Sequence, residues 1–224
     1  MVLERILEPE VMDTEQEAQD YDQMDHTEVN ISFVEDLIQF ATQENVAFQN
    51  VLDLGTGTAL IPIELCRQHG DCKTVAIDMA EHMLALARKN VAESQCTDRV
   101  ELQKCDAKAL PFSNGQFGCV MSNSIVHHIP EPRECIAELI RVVDSGGIIF
   151  VRDLMRPEND QQVKQLVQTY TGDENEHSQQ MFDDSLRAAL SLDEMQTLVS
   201  ELGFQPDTVT KTTDRHWTWA AVKK

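Results

Sequence analysis

Between Ile6 and Cys66 the chain carries no lysine or arginine, and over its 224 residues 18 basic side chains stand against 39 acidic ones, a net charge of −21. A surface of that sign repels phosphate backbones, so nucleic acid is excluded as an expected partner. It can draw in a cationic substrate or simply keep the chain in solution. No stretch approaches the roughly 18 consecutive apolar residues of a membrane span. The opening MVLERILEPE has neither the basic start nor the apolar core of a secretory signal, and the expected location is cytoplasmic. Cys66, Cys72, Cys96, Cys105, Cys119 and Cys135 form no CxxC pair, which argues against a zinc knuckle or a thioredoxin-type motif and for reduced structural thiols. No nucleophilic triad and no metal cluster stands out.

What is present is an apolar share of 42% and a length that suits one domain with a substantial core. The first 27 residues read as acidic and irregular. Val29, Phe33, Leu37 and Phe40/Ala41 then recur at helical spacing, predicting a cap helix over a sheet edge, with residues 1–45 forming an N-terminal cap. From Asn50 onward strands at 50–54, 74–77, 99–103, 117–121 and 147–151 alternate with helices near 59–69, 80–94 and 131–143. Such alternation demands a parallel sheet covered on both faces. Residues 157–190 read as a polar, mostly helical lid insertion, followed by a helix over 192–202 ending at Gly203. Runs at 205–211 and 216–222 predict an antiparallel C-terminal hairpin. Trp217 and Trp219 share one face of the last strand, as core residues do.

The stretch VLDLGTGTALIPIEL, residues 51–65, runs from a strand through a glycine turn into an amphipathic helix, the way a parallel sheet presents a cofactor at its carboxyl edge. Gly55 and Gly57 can adopt angles closed to other residues and let a ligand lie against the main chain. Asp53, just before the bend, can reach a ligand ammonium. Asp78, ending the second strand, can accept from both hydroxyls of a ribose, or cap the following helix. These features fit NAD and S-adenosylmethionine equally. The turn, however, reads GTGTA and not GxGxxG, and a third acid, Asp106, ends the third strand, where it can accept from an adenine amino group while the Ala107 N–H meets a ring nitrogen.

With those blocks in order, and with HHIPEPRECIAELIRVVDSGGIIFV between the fourth and fifth strands, the chain resembles the class I S-adenosylmethionine-dependent methyltransferases, particularly the small-molecule group of ubiquinone and menaquinone C-methyltransferases. The resemblance covers about residues 48–155. It departs at Ala59, Gly118 and Asp144-Ser145, where a third Gly, an Asp and Lys-Pro are usual. It implies an α/β, Rossmann-like fold with a mostly parallel seven-stranded sheet, helices on both faces and an antiparallel C-terminal hairpin. The implied cofactor is S-adenosylmethionine, leaving S-adenosylhomocysteine. Gly55 and Gly57 would accommodate its methionine part, Asp53 its amino group, Asp78 its ribose, and Met79, Asp106 and Ala107 its adenine. Ser122 and Asn123 would line the sulfonium end, with Tyr21 closing over it.

Methyl transfer from a sulfonium asks mainly for alignment of the nucleophile. Should the acceptor need deprotonation, His127 is the candidate base and Asp153 a group to orient the nucleophile. Arg156 can grip a substrate carboxylate, or form a salt bridge in a loop. His26, His128, Tyr170 and His177 are substrate-contact candidates. Adjacent histidines on an extended segment point apart, so no metal is expected. The expected partner is a small molecule, and the sequence leaves acceptor chemistry and oligomeric state open. Two rival readings are a nicotinamide-dependent oxidoreductase and a non-catalytic S-adenosylmethionine-binding protein.

Overall fold

The computed structural model describes residues 3–11, 13–24 and 26–224. Seven strands, β1 (Asn50–Leu54), β2 (Lys73–Asp78), β3 (Val100–Lys104), β4 (Phe117–Asn123), β5 (Val143–Leu154), β6 (Val209–Lys211) and β7 (His216–Val222), join in the order β3-β2-β1-β4-β5-β7-β6. β1 is parallel to β2 and β4, and β2 to β3, while β6 and β7 run antiparallel. Strand order reverses between β1 and β4, and a doubly wound sheet opens a crevice at such a switch point. Among the described residues no helix is long and apolar enough to cross a membrane.

The chain divides into two compact units. The larger comprises Val11–Asn123, Arg133–Val151 and Ala220–Lys224. Its helices are α1 (Glu15–Gln23), α2 (Thr27–Gln43), α3 (Leu60–Gln68), α4 (Glu81–Glu93) and α5 (Pro132–Val142). Phe33, Val34, Leu37 and Ala41 of α2 pack on Val51, Met121, Ile148 and Phe150 of the sheet, so this helix covers a sheet face, where the sequence suggested an edge. On a second cluster Ile63 and Cys66 meet Ala76, Ala87 and Val91. α3 tolerates Pro62 because first-turn residues have no intrahelical N–H partner to lose.

The smaller unit comprises Met1–Glu10, Ser124–Pro132 and Arg152–Trp219. It holds α6 (Asp160–Thr171), α7 (Glu176–Ala188) and α8 (Leu192–Glu201). Val163 and Leu186 bury against Leu154 and Ala189. Trp217 and Trp219 are both fully buried, and Phe204 meets Trp219 edge-on.

Three elements differ from the sequence expectation. Residues 15–23 are helical and not irregular, because Thr14 and Glu17 form a reciprocal capping box that satisfies orphan N–H groups at the helix start. β5 begins at Val143, through the Gly146-Gly147 pair, since Gly146 N–H donates to Lys223 O and Lys223 N–H to Gly147 O. A Cβ on Gly147 would come within 2.9 Å of the Gly118 carbonyl, so the strands approach only because the side chain is missing. β6 is shorter than the predicted 205–211 because Pro206–Thr208 forms a 3-10 turn.

Candidate functional site

After β1 the backbone takes left-handed angles at Gly55 (φ 69°), Gly57 (φ 55°) and Ala59 (φ 64°), folding the turn back so that α3 starts beneath it. Asp78 locks this turn: Oδ2 accepts from the Gly57 N–H at 2.8 Å and Oδ1 from the Ala80 N–H at 2.8 Å. The contact with the Ala80 N–H leads into α4, whose N-cap is Ala80 and not Asp78, while the brace on the glycine turn is a role the sequence did not suggest.

Asp53 is only 2% exposed, and among the described residues its Oδ2 meets no hydrogen-bond donor. Burial drives its pKa up, a neighbouring Thr56 partly opposes this and the Asp78 charge adds to it, leaving the carboxyl at about 7. The Thr58 hydroxyl is likewise buried without a partner. A buried polar atom left unpaired costs about 1–3 kcal/mol, so these groups mark a place built for something polar. They open on a recess lined by Tyr21, Asn30, Asp53, Gly55, Thr56 and Asn123, among others.

Tyr21 reaches that recess from α1, which Ala18 packs against Ala80 and Met83. The Asn90 side-chain amide ties the same helix down by donating to Asp22 and to the Thr58 carbonyl, at 2.9 and 3.1 Å. Tyr21 Cε1 would stand 3.5 Å from a Cβ on Gly57. Burial, followed by the charges of Asp78, Asp53 and Asp22, pushes its phenol up to about 12, so it stays neutral. Negative charge and unpaired acceptors give the recess a preference for a cation.

The remaining cofactor candidates sit at the same carboxyl edge. Met79 follows β2 and is 38% exposed. Asp106 accepts from the Lys108 N–H at 2.8 Å, with the Lys108 ammonium 3.1 Å away, and Ala107 is half-buried in that turn. Ser122 spends its hydroxyl on the Leu54 carbonyl, at 2.8 Å, holding β4 to β1, and Asn123 lines the recess. The His26 ring packs at a tilt against Tyr21 with centroids 4.6 Å apart and lies 3.1 Å from the Tyr21 carbonyl through Nε2.

In the smaller unit Asp153, fully buried, is saturated. Its Oδ1 lies 2.6 Å from His127 Nδ1 and accepts from Leu154 N–H at 2.6 Å. Oδ2 accepts from Val126 N–H at 2.6 Å. Burial disfavours the His127 imidazolium, but Asp153 by charge and hydrogen bond, and then Glu8, outweigh it and raise the pKa above its ordinary value. His127 and His128 lie on a 3-10 turn, Val126–His128, and not on an extended segment. Their rings therefore face one way, 4.1 Å apart, and the premise that adjacent histidines diverge fails here. Glu8 Oε1 sits 3.5 Å from His127 Nε2 and 2.9 Å from His128 Nδ1. Burial would raise the Glu8 carboxyl, but His128, His127 and Ser185 together hold it below its usual range. Arg156 donates to the Ala189 carbonyl and to Glu194, at 3.0 and 2.6 Å, the salt-bridged arrangement the sequence held as its alternative. Tyr170 hydrogen-bonds Asp214, under the Arg215 guanidinium 3.4 Å from the ring centroid, and His177 lies in α7.

Residues 51–147 match the family model described as a methyltransferase domain. A demethylmenaquinone methyltransferase of Clavibacter sepedonicus is 35% identical over 114 residues, 50% of this chain and 44% of that protein. Along that stretch the chain is similar to methyltransferases. A solved methyltransferase from Methanococcus maripaludis, described as putative and S-adenosyl-L-methionine-dependent, superposes with a TM-score of 0.70 at 17% identity and covers 97% of both chains. The plantazolicin methyltransferase BpumL, solved in complex with SAH, gives a TM-score of 0.73 at 13% identity over 92% of this chain and 89% of its own. At those identities the likeness is one of fold. The chain spans less than half the length of the curated relatives it matches, 43% and 44% for two of them.

Several residues of the candidate site went unassigned in the sequence. Thr56 and Thr58 stand inside the quoted glycine turn, and alternation of small and hydroxyl residues was the available signal. Asn30 and Asn90 gave none, each being one polar residue on a helix. Glu8 meets the histidines only through the fold.

Proposed function

We propose that this chain transfers a methyl group from S-adenosylmethionine to a small-molecule acceptor. The observation that carries the reading is Asp53 Oδ2, buried and unpaired beside a glycine turn at the switch point of the sheet. A carboxyl so placed is matched by an ammonium, which S-adenosylmethionine has at its methionine end and a nicotinamide dinucleotide lacks. Asp53 would take that ammonium, Gly55 and Gly57 would let the main chain lie against the ligand, and Asp78 would accept from two ribose hydroxyls. Asp106 with the Ala107 N–H would read the adenine edge, over which Met79 would lose its exposure. Ser122 and Asn123 would border the sulfonium end, and Tyr21, held neutral, would close the recess without adding charge.

When bound, S-adenosylmethionine supplies a methyl group already activated by its sulfonium. The protein's share is then to align and to exclude water. His127 and Asp153 share a proton within the smaller unit, and the reading assigns them no part in displacement. Two of the curated relatives are named demethylmenaquinone methyltransferases, which makes a reduced demethylated naphthoquinone the first acceptor to try.

The test is a thermal shift with S-adenosylhomocysteine beside NADH. At a hundredfold excess over Kd a ligand stabilises by about 2.7 kcal/mol, and only S-adenosylhomocysteine should do so. A shift with NADH alone would favour the oxidoreductase. Cofactor uptake without S-adenosylhomocysteine release across a broad acceptor panel would favour a non-catalytic binder.

A further inference from the structure

Glu8, His127 and His128 all belong to the smaller unit, and one ligand atom from each lies within 4.8 Å of the other two. We propose that these three side chains form a binding site for one zinc-class divalent cation, with Asp153 as the outer carboxylate that orients His127. The inference is independent of methyl transfer.

Donor set and spacing both point this way. Two imidazoles and one carboxylate make the nitrogen–oxygen set that zinc accepts at about 2.0–2.2 Å, and a tetrahedral ion at that distance separates its ligands by about 3.3 Å. The 2.9 and 3.5 Å from Glu8 Oε1 to the two rings straddle that value, so small side-chain adjustments admit the ion. With three protein ligands, a fourth position remains for water or an anionic group. Glu8 and His128 are 10% and 19% exposed, which leaves an entry path.

The support around the ligands resembles what metal sites need. A ligating histidine usually gives its other ring N–H to a carboxylate, which sets ring orientation and raises ligand basicity. Here His127 Nδ1 meets Asp153 at 2.6 Å, so Nε2 is the nitrogen presented to Glu8. Asp153 is itself fixed by the Val126 and Leu154 N–H groups, each at 2.6 Å. Ser185 donates to Glu8 Oε2 at 3.1 Å. Three residues ahead of Glu8, Arg5 donates to the carbonyls of Ala188, Pro130 and Ile129 at 2.6, 3.0 and 2.9 Å, anchoring the N-terminal segment where its carboxylate meets the histidine turn. Glu8 and Asp153 together balance a double positive charge.

The experiment uses the full chain, stripped with chelator and titrated with Zn²⁺ by calorimetry, then with Co²⁺ as a visible reporter. One equivalent per chain is expected, with Co²⁺ d–d bands of four-coordinate type and no thiolate charge-transfer band. Glu8→Gln and His128→Gln should each weaken Zn²⁺ binding at least tenfold, and Asp153→Asn by 10- to 100-fold. Both rim substitutions are mild, and circular dichroism checks that the variants are folded. Absence of stoichiometric uptake overturns the proposal, as does uptake that Glu8→Gln and His128→Gln leave unchanged or that shows thiolate bands, since the ion would then sit elsewhere. Thermal shift by S-adenosylhomocysteine is expected in all three variants, so loss of metal binding and loss of the cofactor reading are separately visible.

Discussion

Asp53 and Asp153 stand near the ends of β1 and β5, each about as buried as an acid can be, at 2% and 0% exposure, yet they have opposite fates. Asp153 gathers backbone N–H donors and an imidazole; Asp53 leaves an oxygen with none among the described residues. Burial alone therefore does not identify a ligand-binding acid. What distinguishes the two is whether the chain supplies the partner. The saturated carboxylate is part of the architecture of the smaller unit, whereas the unsaturated one carries a cost in the larger unit that a ligand can remove.

The sharpest way to break this comparison is Asp153→Ala. Removing one member of a buried, hydrogen-bonded pair typically costs about 3–5 kcal/mol, and urea unfolding should show a loss of that order; under 1 kcal/mol would make the pair ornamental. Asp53→Asn should act with the opposite sign on the unliganded protein. Because the folded carboxyl is raised from 3.8 to about 7, its contribution to stability is full below pH about 4 and is lost as pH rises through 7. At pH 8 the substitution should therefore stabilise by about 1–3 kcal/mol while weakening S-adenosylhomocysteine binding at least tenfold. Equal stability at pH 8 and pH 5 for the two proteins would refute the assignment. His127 has the same sign: its raised pKa gives stability that is present below 6.5 and fades as pH climbs past the folded value.

Asp78→Ala should weaken cofactor binding by roughly 1–3 kcal/mol through lost hydrogen bonds, and loosen the glycine turn that it braces; calorimetry with unchanged affinity would remove Asp78 from the ribose. The smallest effect is expected at Ala59. Its left-handed φ of 64° costs an alanine about 1–2 kcal/mol, but glycine loses more entropy on folding and would vacate a fully buried methyl site. Ala59→Gly should thus change stability by less than about 1 kcal/mol, and a larger shift in either direction would show that one term dominates.

The larger unit was legible because its signals are local. Apolar runs, a glycine turn and an acid at each strand end all lie within a few residues of one another, and parallel pairing follows from their alternation. α1 was hidden by an acidic composition with a single buried residue, Ala18, although Thr14 and Glu17 carried its start signal. The histidine turn could be seen but not its geometry: a 3-10 turn and an extended strand place adjacent rings differently, and no sequence feature near His127 chooses between them. Glu8, far from both histidines in the chain and flanked by irregular sequence, has no local signature.

The carboxyl left near neutrality by its own protein has one more consequence. An arriving ammonium pulls the Asp53 proton off, so uptake of the ammonium-bearing ligand around pH 6–7 should expel acid into the buffer, and by reciprocity hydronium becomes a competitor for the same seat. A slight acidification of the surroundings would then loosen the grip on S-adenosylmethionine with no effector site at all.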